Sequence, residues 1–269
     1  MNSDTAVLIL SCDKYKDAWA PFFALFQKFW PSCSFPVYLG TNESPFETKN
    51  IKIIHSGKAA DWSTDTRKLL EQIPEKYVII LLEDYFLEQA VNQEWLAACL
   101  EFTKKKNASF MRIASFRKDY EPMYAFDRST DNPRFGITRL NAPFRVNLQA
   151  GIWNRNDLLE LIKDGESPWE FEVQGSVRSR TMHKPFLGIT ESSEKDILSG
   201  PIPYLCTAIT KGTWMREAVE LCKNENVPID LSHRPLETKM QYLKRKIYHG
   251  LSYPNRKYID FISGKLKGK

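Results

Sequence analysis

The sequence predicts an α/β protein built on a doubly wound, mixed sheet with helices on both faces. Apolar runs of about five residues recur through the first 113 residues, and their continuous apolarity is typical of strands buried on both faces. Segments with apolar residues at helical spacing separate most of these runs. The length of 269 residues fits one or two domains.

The predicted elements follow one another as β-α-β-β-α-β-α-β, the order of a sheet covered by helices. Strands are predicted at residues 6–10, 35–39, 51–54, 77–82 and 109–113. Helices are predicted at residues 15–29, 63–73 and 95–105. Residues 115–143 form an irregular stretch of polar and aromatic loops. The remaining predictions are a strand at 144–152, helices at 155–163 and from Ser167, a strand at 204–209 and a helix at 212–221.

Charge is distributed unevenly along the chain. From residue 237 to residue 269, nine Lys and Arg stand against two acids, a net +7, so the other 236 residues carry −2 of the total +5. A slightly acidic body argues against a nucleic-acid partner, because nucleic-acid-binding domains present a basic face. The basic tail is interleaved with apolar residues, which suits an anionic membrane surface or else a solvated terminal helix packed on the body. We divide the chain into two halves of one domain, residues 1–115 and 116–235, and a tail at residues 236–269.

Cysteine and hydropathy patterns indicate a cytoplasmic protein. The five cysteines form no C-x-x-C pair, so neither a disulfide framework nor a structural zinc site is expected. The sequence contains no run of about 18 apolar residues, and its first residues lack the basic segment of a signal peptide. We expect a cytoplasmic protein that is peripheral on the inner face of the cytoplasmic membrane where its tail binds lipid.

An acidic pair, Glu83 and Asp84, directly follows the most apolar predicted strand. In open α/β sheets, ligands bind beyond the carboxyl ends of the strands. Adjacent carboxylates at that position suit Mg²⁺ or Mn²⁺, hard cations that take oxygen ligands and bridge phosphates. The alternative is a solvated strand end, or a helix cap at Asp84.

Two clusters elsewhere combine polar and aromatic residues. Ser167 and Glu170 have the spacing of a capping box, whereas Glu172 lies about 200° round the helix and is either a general base for a hydroxyl or a first-turn acid favoured by the helix dipole. Asp61, Trp62 and Ser63 precede a helix that carries Arg67.

These residues have a functional and a structural interpretation. Trp62 is suited to stack on a base or sugar, and Arg67 to pair with phosphate. Alternatively, Ser63 caps the helix and Trp62 is its hydrophobic staple. The four histidines show no H-x-H or H-E-x-x-H spacing, so His183 is only a candidate to complete a metal shell.

A combination of five segments between Val7 and Trp214 carries a family resemblance. The segments are VLILSCDKYKDAWAPFFALFQKFWP, FPVYLGTN, YVIILLEDYFL, QAGIWNR and SPWEFE. Together they resemble bacterial glycosyltransferases of the GT-A fold, in particular those that build capsular or lipopolysaccharide chains. The resemblance implies a nucleotide-sugar-binding half at residues 1–115 and an acceptor-binding half at residues 116–235.

The resemblance also implies roles for particular residues. Contacts to the donor nucleotide fall to Ser11, Cys12, Asp13, Asp61, Trp62, Ser63, Arg67 and Lys211. Contacts to the donor sugar and the acceptor fall to Gln149, Gly151, Trp153, Trp169 and Arg178. The metal ligands are Glu83 and Asp84, with His183 as a further candidate, and the family's usual Asp-x-Asp motif ends here in Tyr85. Glu172, six residues before Arg178, matches the family's base carboxylate better than Glu170, the second catalytic candidate.

The function predicted in this way is inverting transfer of a sugar from a nucleotide-sugar donor to a hydroxyl of a saccharide or lipid-linked saccharide acceptor, with Mn²⁺ or Mg²⁺ as cofactor. Such a reaction needs a base for the hydroxyl, positive charge on the departing diphosphate and a pocket that orders both substrates. UDP is the commonest donor nucleotide in such folds, and GDP and dTDP are the alternatives. The alternatives are a non-catalytic nucleotide- or glycan-binding subunit of a membrane-associated polysaccharide assembly, and a retaining transferase on the same fold.

Overall fold

The computed structural model describes residues 4–250 apart from residues 115, 118–125, 130, 191 and 194–199. The strands are β1 (Thr5–Leu10), β2 (Val37–Thr41), β3 (Ile51–His55), β4 (Tyr77–Leu82), β5 (Phe110–Arg112), β6 (Phe116–Arg117), β7 (Phe126–Arg128), β8 (Phe135–Thr138), β9 (Gly151–Asn154), β10 (Phe186–Ile189), β11 (Ser192–Ser193), β12 (Ile209–Thr210) and β13 (Thr213–Trp214). The helices are α1 (Lys16–Phe29), α2 (Trp62–Glu71), α3 (Gln93–Lys105), α4 (Arg155–Leu161), α5 (Pro168–Arg178), α6 (Arg216–Asn224) and α7 (Lys239–Gly250). The part of the predicted tail after residue 250 lies outside the described residues.

Within the described residues, nine strands form one mixed sheet in the order β3-β2-β1-β4-β9-β5-β10-β8-β7. Strands β3, β2, β1 and β4 run parallel, and β9 is antiparallel to both of its neighbours, β4 and β5. The predicted order of the first eight elements and the mixed α/β fold class are confirmed.

Helices cover both faces of this sheet. On β1, Val7 and Ile9 point to a core that also contains buried residues of α1, α3 and α6. Ala6, Leu8 and Leu10 alternate to the opposite core, which contains residues of α2, α4 and α5. The strand is therefore buried on both faces, which is why its apolar run is continuous rather than alternating.

The predicted strand at residues 144–152 is wrong over most of its length, because only Gly151–Asn154 pairs with neighbouring strands. Residues 144–150 are loop. The N–H groups of Leu148 and Ala150 donate to the side chains of Glu172 and Tyr204, at 2.7 and 3.1 Å, instead of to a strand. Residues 115–143 are predicted to be irregular, and this prediction is wrong in part. Strands β7 and β8 lie in this stretch and extend the edge of the sheet.

The segment predicted as a strand at 204–209 and a helix at 212–221 contains a hairpin instead. Strands β12 and β13 are joined by Lys211 and Gly212, whose φ angles are +47° and +78°. Two consecutive residues with positive φ are typical of a type I′ turn, which matches the twist of the flanking strands. The helix that follows, α6, begins four residues later than predicted.

None of the five cysteines, all of which lie in the described part of the chain, forms a disulfide bond. Among the helices of the described residues, none is both long and apolar enough to cross a membrane.

Candidate functional site

A cavity of about 940 Å³ opens at the carboxyl ends of β1, β2 and β4, the edge at which open α/β sheets bind ligands. Residues of α2, α5 and the β12–β13 hairpin complete its lining. The sequence-predicted residues that line it are Ser11, Cys12, Asp13, Asp61, Trp62, Glu83, Asp84, Gln149, Trp169, Glu172 and Lys211. The cavity therefore brings together residues from both predicted halves of the chain.

The acidic pair follows β4 and is held by neutral hydroxyl groups. Glu83 is only 8% exposed and lies beside Ser11, whose hydroxyl lowers the pKa of Glu83 and accepts a hydrogen bond from Trp19 Nε1 at 2.8 Å. Burial, and then the neighbouring charge of Asp84, raise the pKa of Glu83 well above its ordinary value. Burial also raises the pKa of Asp84, against the hydrogen bond from Thr207. A cation at this pair would stabilise both ionised forms.

Thr207, which the sequence analysis missed, positions Asp84 from the loop before β12. Its φ of +74° lies in the left-handed region, which a β-branched residue rarely adopts. Its hydroxyl donates to the Asp84 carboxylate, and the next residue, Ala208, donates its N–H to the Asp84 carbonyl at 2.7 Å. Backbone strain of this kind persists only where surrounding contacts maintain it. No local sequence pattern marks Thr207, since its partner lies 123 positions away.

Tyr85, the residue after the acidic pair, lies in the core. Its ring stacks on Tyr204 with 4.5 Å between centroids, and its hydroxyl donates to the Leu148 carbonyl at 3.2 Å. The Tyr204 hydroxyl donates to Gln149 Oε1 at 2.8 Å and accepts from the Ala150 N–H at 3.1 Å. The two tyrosines thus fix the loop before β9 next to the acidic pair.

Glu172 reaches the cavity from the first half of α5. Its Oε1 accepts a hydrogen bond from the Leu148 N–H at 2.7 Å, and no donor from the described residues reaches Oε2. Burial raises the pKa of Glu172 from its ordinary value, partly opposed by that hydrogen bond. A carboxylate with a raised pKa and one unengaged oxygen is suited to accept a proton from a hydroxyl.

Asp13 joins the end of β1 to the loop after β2. Its carboxylate accepts from the N–H groups of Asn42 and Ser44, each at 3.0 Å, and Glu43, at 3.2 Å. Burial would raise the pKa of Asp13, but these hydrogen bonds hold it below its ordinary value. Asn42 in turn donates to Asp65 at 2.9 Å. Asn42 and Asp65 line the cavity and were missed, because only the packing of α2 on the β2–β3 connection brings them to it.

The three consecutive residues Asp61, Trp62 and Ser63 differ in location: the first two line the cavity and the third is buried in the protein interior. Asp61 caps α2 and accepts from the Ser63 hydroxyl at 2.6 Å and from the Gly165 N–H at 3.0 Å. Burial would raise the pKa of Asp61, but these hydrogen bonds hold it well below its usual range. Ser63 is fully buried, so its predicted nucleotide contact is corrected to a structural role. Trp62 lines the cavity and packs on Phe171, with 5.2 Å between ring centroids.

Two arginines predicted to bind ligand are used within the protein instead. Arg67 donates to Asp164 at 2.8 Å and to the Ile162 carbonyl at 2.5 Å, which stabilises the carboxyl end of α4. Arg178 makes a two-bond ion pair with Glu166 at 2.6 and 2.7 Å. Neither arginine is among the residues that line the cavity. The predicted phosphate contact of Arg67 and acceptor contact of Arg178 are therefore corrected.

Four further predicted site residues lie outside the cavity lining. Glu170 is exposed and completes the capping box, and the backbone and hydroxyl of its serine partner lower its pKa. Gly151 is in β9, where a Cβ would come within 2.3 Å of the Phe110 ring. Trp153 is buried and stacks on Phe110 at 4.1 Å. His183 lies between α5 and β10, outside the cavity lining, and no described group of three or more His, Cys, Asp and Glu combines it with the acidic pair.

Three more of the predicted residues line the cavity. Trp169 is 75% exposed in the first turn of α5, although it is a large aromatic residue. Lys211 lies at the tip of the β12–β13 hairpin. Gln149 is held by Tyr204 at the cavity wall.

The acidic pair fits a divalent ion that is bound partly by substrate. Among the described residues, no group of three or more His, Cys, Asp and Glu is placed to hold a metal ion by itself. Glu83 and Asp84 supply two carboxylates, and Mg²⁺ is commonly held by one or two carboxylates plus substrate phosphates. The cavity lining contains seven Asp and Glu against two lysines. A diphosphate would therefore enter a negatively charged pocket, and an accompanying cation would offset the repulsion.

Comparison with known proteins shows similarity of structure rather than of sequence. No family model and no curated protein matches the chain. Structural similarity links it to the bifunctional IspDF of Campylobacter jejuni, with a TM-score of 0.40, 13% identity, and coverage of 65% of this chain and 47% of that one. A UDP-glucose pyrophosphorylase complexed with UDP-glucose has a TM-score of 0.47 and 8% identity over 71% and 91% of the two chains. Residues 1–349 of TarS from S. aureus have a TM-score of 0.44 and 15% identity over 98% and 75%.

The chain spans about half the length of IspDF and most of the other two structures. All three TM-scores lie below 0.5 and all three identities below 25%, so we take no residue role or substrate from these proteins.

Proposed function

We propose that this chain is an inverting glycosyltransferase that moves a sugar from a nucleotide-sugar donor to a hydroxyl of a saccharide or lipid-linked saccharide acceptor. The observation that carries the proposal is Glu172, a carboxylate with a raised pKa in the same cavity as Glu83 and Asp84. Glycosyl transfer from a nucleotide-sugar needs a base and a diphosphate site in one pocket. The resemblance of the sequence to capsule and lipopolysaccharide glycosyltransferases supports bacterial surface polysaccharide synthesis as the setting.

The proposed reaction is a single displacement. The acceptor oxygen bonds to the anomeric carbon, the bond from that carbon to the diphosphate oxygen breaks, and its electron pair leaves with the diphosphate. Glu172 accepts the hydroxyl proton as the new bond forms. Lys211 contributes positive charge toward the departing diphosphate. The anomeric configuration of the product is then opposite to that of the donor.

Glu83 and Asp84 are the residues that would hold Mn²⁺ or Mg²⁺. A bound divalent ion supplies Lewis-acid stabilisation of negative charge on the diphosphate. The chain's own contribution is orientation: Thr207 donates to Asp84, and burial beside Ser11 holds Glu83, so each carboxylate is positioned before ligands arrive. Raised pKa values at both carboxylates support the proposal: burial raises both, the charge of Asp84 adds to the shift at Glu83, and a cation would favour the ionised forms.

Two tryptophans provide apolar ring faces for the substrates. Trp62, packed on Phe171, is assigned to the donor nucleotide. The exposed ring of Trp169 is assigned to the acceptor, since it lies three residues from Glu172 and an aromatic face suits the apolar face of a sugar ring.

The test is calorimetric binding of UDP, GDP and dTDP with and without Mn²⁺. We expect one nucleotide to bind in a Mn²⁺-dependent way, and Asp84→Asn to remove that dependence. Glu172→Gln should leave nucleotide binding intact while transfer collapses, and Glu170→Gln, a matched change on the same helix, should leave both unchanged. Failure of all three nucleotides to bind contradicts the proposed function. Product NMR showing a retained anomeric configuration contradicts the inverting mechanism.

A further inference from the structure

Helix α7 is fastened to the body along one face. Arg245 pairs with Glu217 of α6 at 2.5 Å and with Glu237 at 2.7 Å, and its side chain is only 15% exposed. Lys246 also pairs with Glu217, at 2.9 Å. These ion pairs fix the rotation of α7 about its axis, so they also determine which residues face outward.

The outward face of α7 is apolar at its centre. Met240, Leu243 and Ile247 are 66%, 58% and 59% exposed. At about 100° per residue, the three side chains fall within about 60° of one another on the helix surface. Single exposed apolar residues are ordinary, but three large ones that form a continuous stripe mark an interaction surface.

Lysines border this stripe on both sides. Lys239 lies on one side of it and Lys244 lies on the other, and both are exposed. The surface therefore combines an apolar centre with a positively charged border. The same segment belongs to the tail whose net charge is +7, whereas the rest of the chain carries a slight negative charge.

We infer that the outward face of α7 docks this protein on the surface of an anionic lipid membrane, with Met240, Leu243 and Ile247 at the acyl boundary and the lysines at the headgroups. Amphipathic helices with lysines around an apolar face bind membranes in this orientation. The helix lies along the surface rather than crossing it, in accord with the finding that no described helix can span a membrane. The inference does not depend on the proposed transferase activity.

A second copy of the chain fits the same surface less well. A two-fold contact between two stripes would bring the lysine border of one protomer against the same border of its partner. Like charges at short range oppose that contact, whereas anionic headgroups neutralise it.

The test is co-sedimentation of the purified protein with vesicles, without donor or acceptor. We expect binding to vesicles of phosphatidylglycerol and phosphatidylcholine, at least tenfold weaker binding to phosphatidylcholine alone, and weakening by added salt. The double variant Leu243→Ser/Ile247→Ser and the charge variant Lys239→Gln/Lys244→Gln should each lose at least tenfold in affinity. Matched controls are Ile137→Ser/Leu140→Ser, exposed by 42% and 54%, and Lys58→Gln/Lys163→Gln, which should bind like the wild type.

Three outcomes overturn the inference. The first is equal binding of the wild type to charged and uncharged vesicles, or no binding. The second is unchanged binding by both α7 variants. The third is a dimer in light scattering that Leu243→Ser/Ile247→Ser converts to a monomer, which would assign the stripe to a second copy. Circular dichroism of each variant checks that α7 and the body remain folded.

Discussion

The backbone N–H of Leu148 donates to Oε1 of Glu172 over 2.7 Å, and so joins the loop before β9 to the start of α5. The Leu148 carbonyl accepts from the buried Tyr85 hydroxyl at 3.2 Å. The loop therefore connects the proposed base to the residue that follows the acidic pair. This connection sets the position of the Glu172 carboxylate relative to those of Glu83 and Asp84.

Glu172→Gln should lower kcat by about 10²–10⁴-fold, the range that a general base contributes. Glu172 accepts a proton only when it is ionised, so wild-type activity should fall as the pH drops through its pKa. That acidic limb should lie above pH 4.5, the ordinary value, because burial raises the pKa. The pH profile of kcat measures this, and the limb should be absent in Glu172→Gln. Wild-type activity that stays constant down to pH 4.5 would argue against Glu172 as the base.

Tyr204→Phe should destabilise the fold by about 1–3 kcal/mol, the cost of leaving a buried polar group unpaired. The hydroxyl accepts from the Ala150 N–H and donates to Gln149, so its loss should also raise the KM for the acceptor. Denaturant unfolding and initial rates measure the two effects. Tyr38→Phe is the matched control, because among the described residues its hydroxyl bonds to Glu75 alone, at 3.3 Å. Equal effects of the two changes would contradict this role of Tyr204.

Asp61→Ala should lower the free energy of unfolding by about 1–2 kcal/mol at neutral pH, as expected for a helix N-cap. Hydrogen bonds lower the pKa of Asp61 from 3.8, so its contribution is present above that value and is lost as the pH falls through the lower, folded-state pKa. The difference between variant and wild type should therefore shrink below pH 3.8. Asn92→Ala removes a neutral cap from α3 and should show the same deficit at every pH.

Lys211→Gly should weaken binding of the nucleoside diphosphate by about three- to tenfold, since one partly exposed charge contact is worth about 1 kcal/mol. Stability should not fall, because glycine adopts the positive φ of this turn position without strain. The matched change is Gly212→Ala, which keeps the charge but places a side chain at φ +78° and should cost about 1 kcal/mol of stability. Calorimetry and thermal unfolding distinguish the two effects. Unchanged binding by Lys211→Gly would remove it from the diphosphate site.

Arg67→Met should destabilise the fold by about 1–3 kcal/mol and leave nucleotide affinity unchanged. Its guanidinium donates to Asp164 and to two carbonyls at the end of α4, which would lose their donor. A variant of normal stability with tenfold weaker nucleotide binding would restore the phosphate role that the sequence predicted.

The strands of the sheet and its first helices could be predicted from the sequence, because the apolar patterns that indicate them are local. The predicted strand at 77–82 coincides with β4, and the predicted helix at 95–105 lies within α3. Burial on both faces forces continuous apolarity, and a helix packed on a sheet needs its apolar residues at helical spacing. The capping box of α5 was likewise predicted, since both of its residues lie in one turn.

Only part of the candidate site could be predicted from the sequence. Glu83, Asp84 and Glu172 were predicted as site residues from a local element, a strand end or a helix start, and all three line the cavity. Arg67 and Arg178 were predicted from local patterns of the same kind, yet each forms an ion pair with a carboxylate inside the fold. No sequence pattern distinguishes an arginine that faces a cavity from one that caps a helix end.

By itself, then, the sequence determined which segments are buried, in what order they alternate, and where acids follow a strand or open a helix. Only the tertiary structure decided which polar groups stay available for a ligand, because their partners are distant in the chain. Thr207 and Asp84 are 123 residues apart, and Arg67 and Asp164 are 97 apart. Such hydrogen bonds form only when the sheet and its helices pack. Tertiary packing, rather than any local sequence pattern, therefore determines which polar residues line the site.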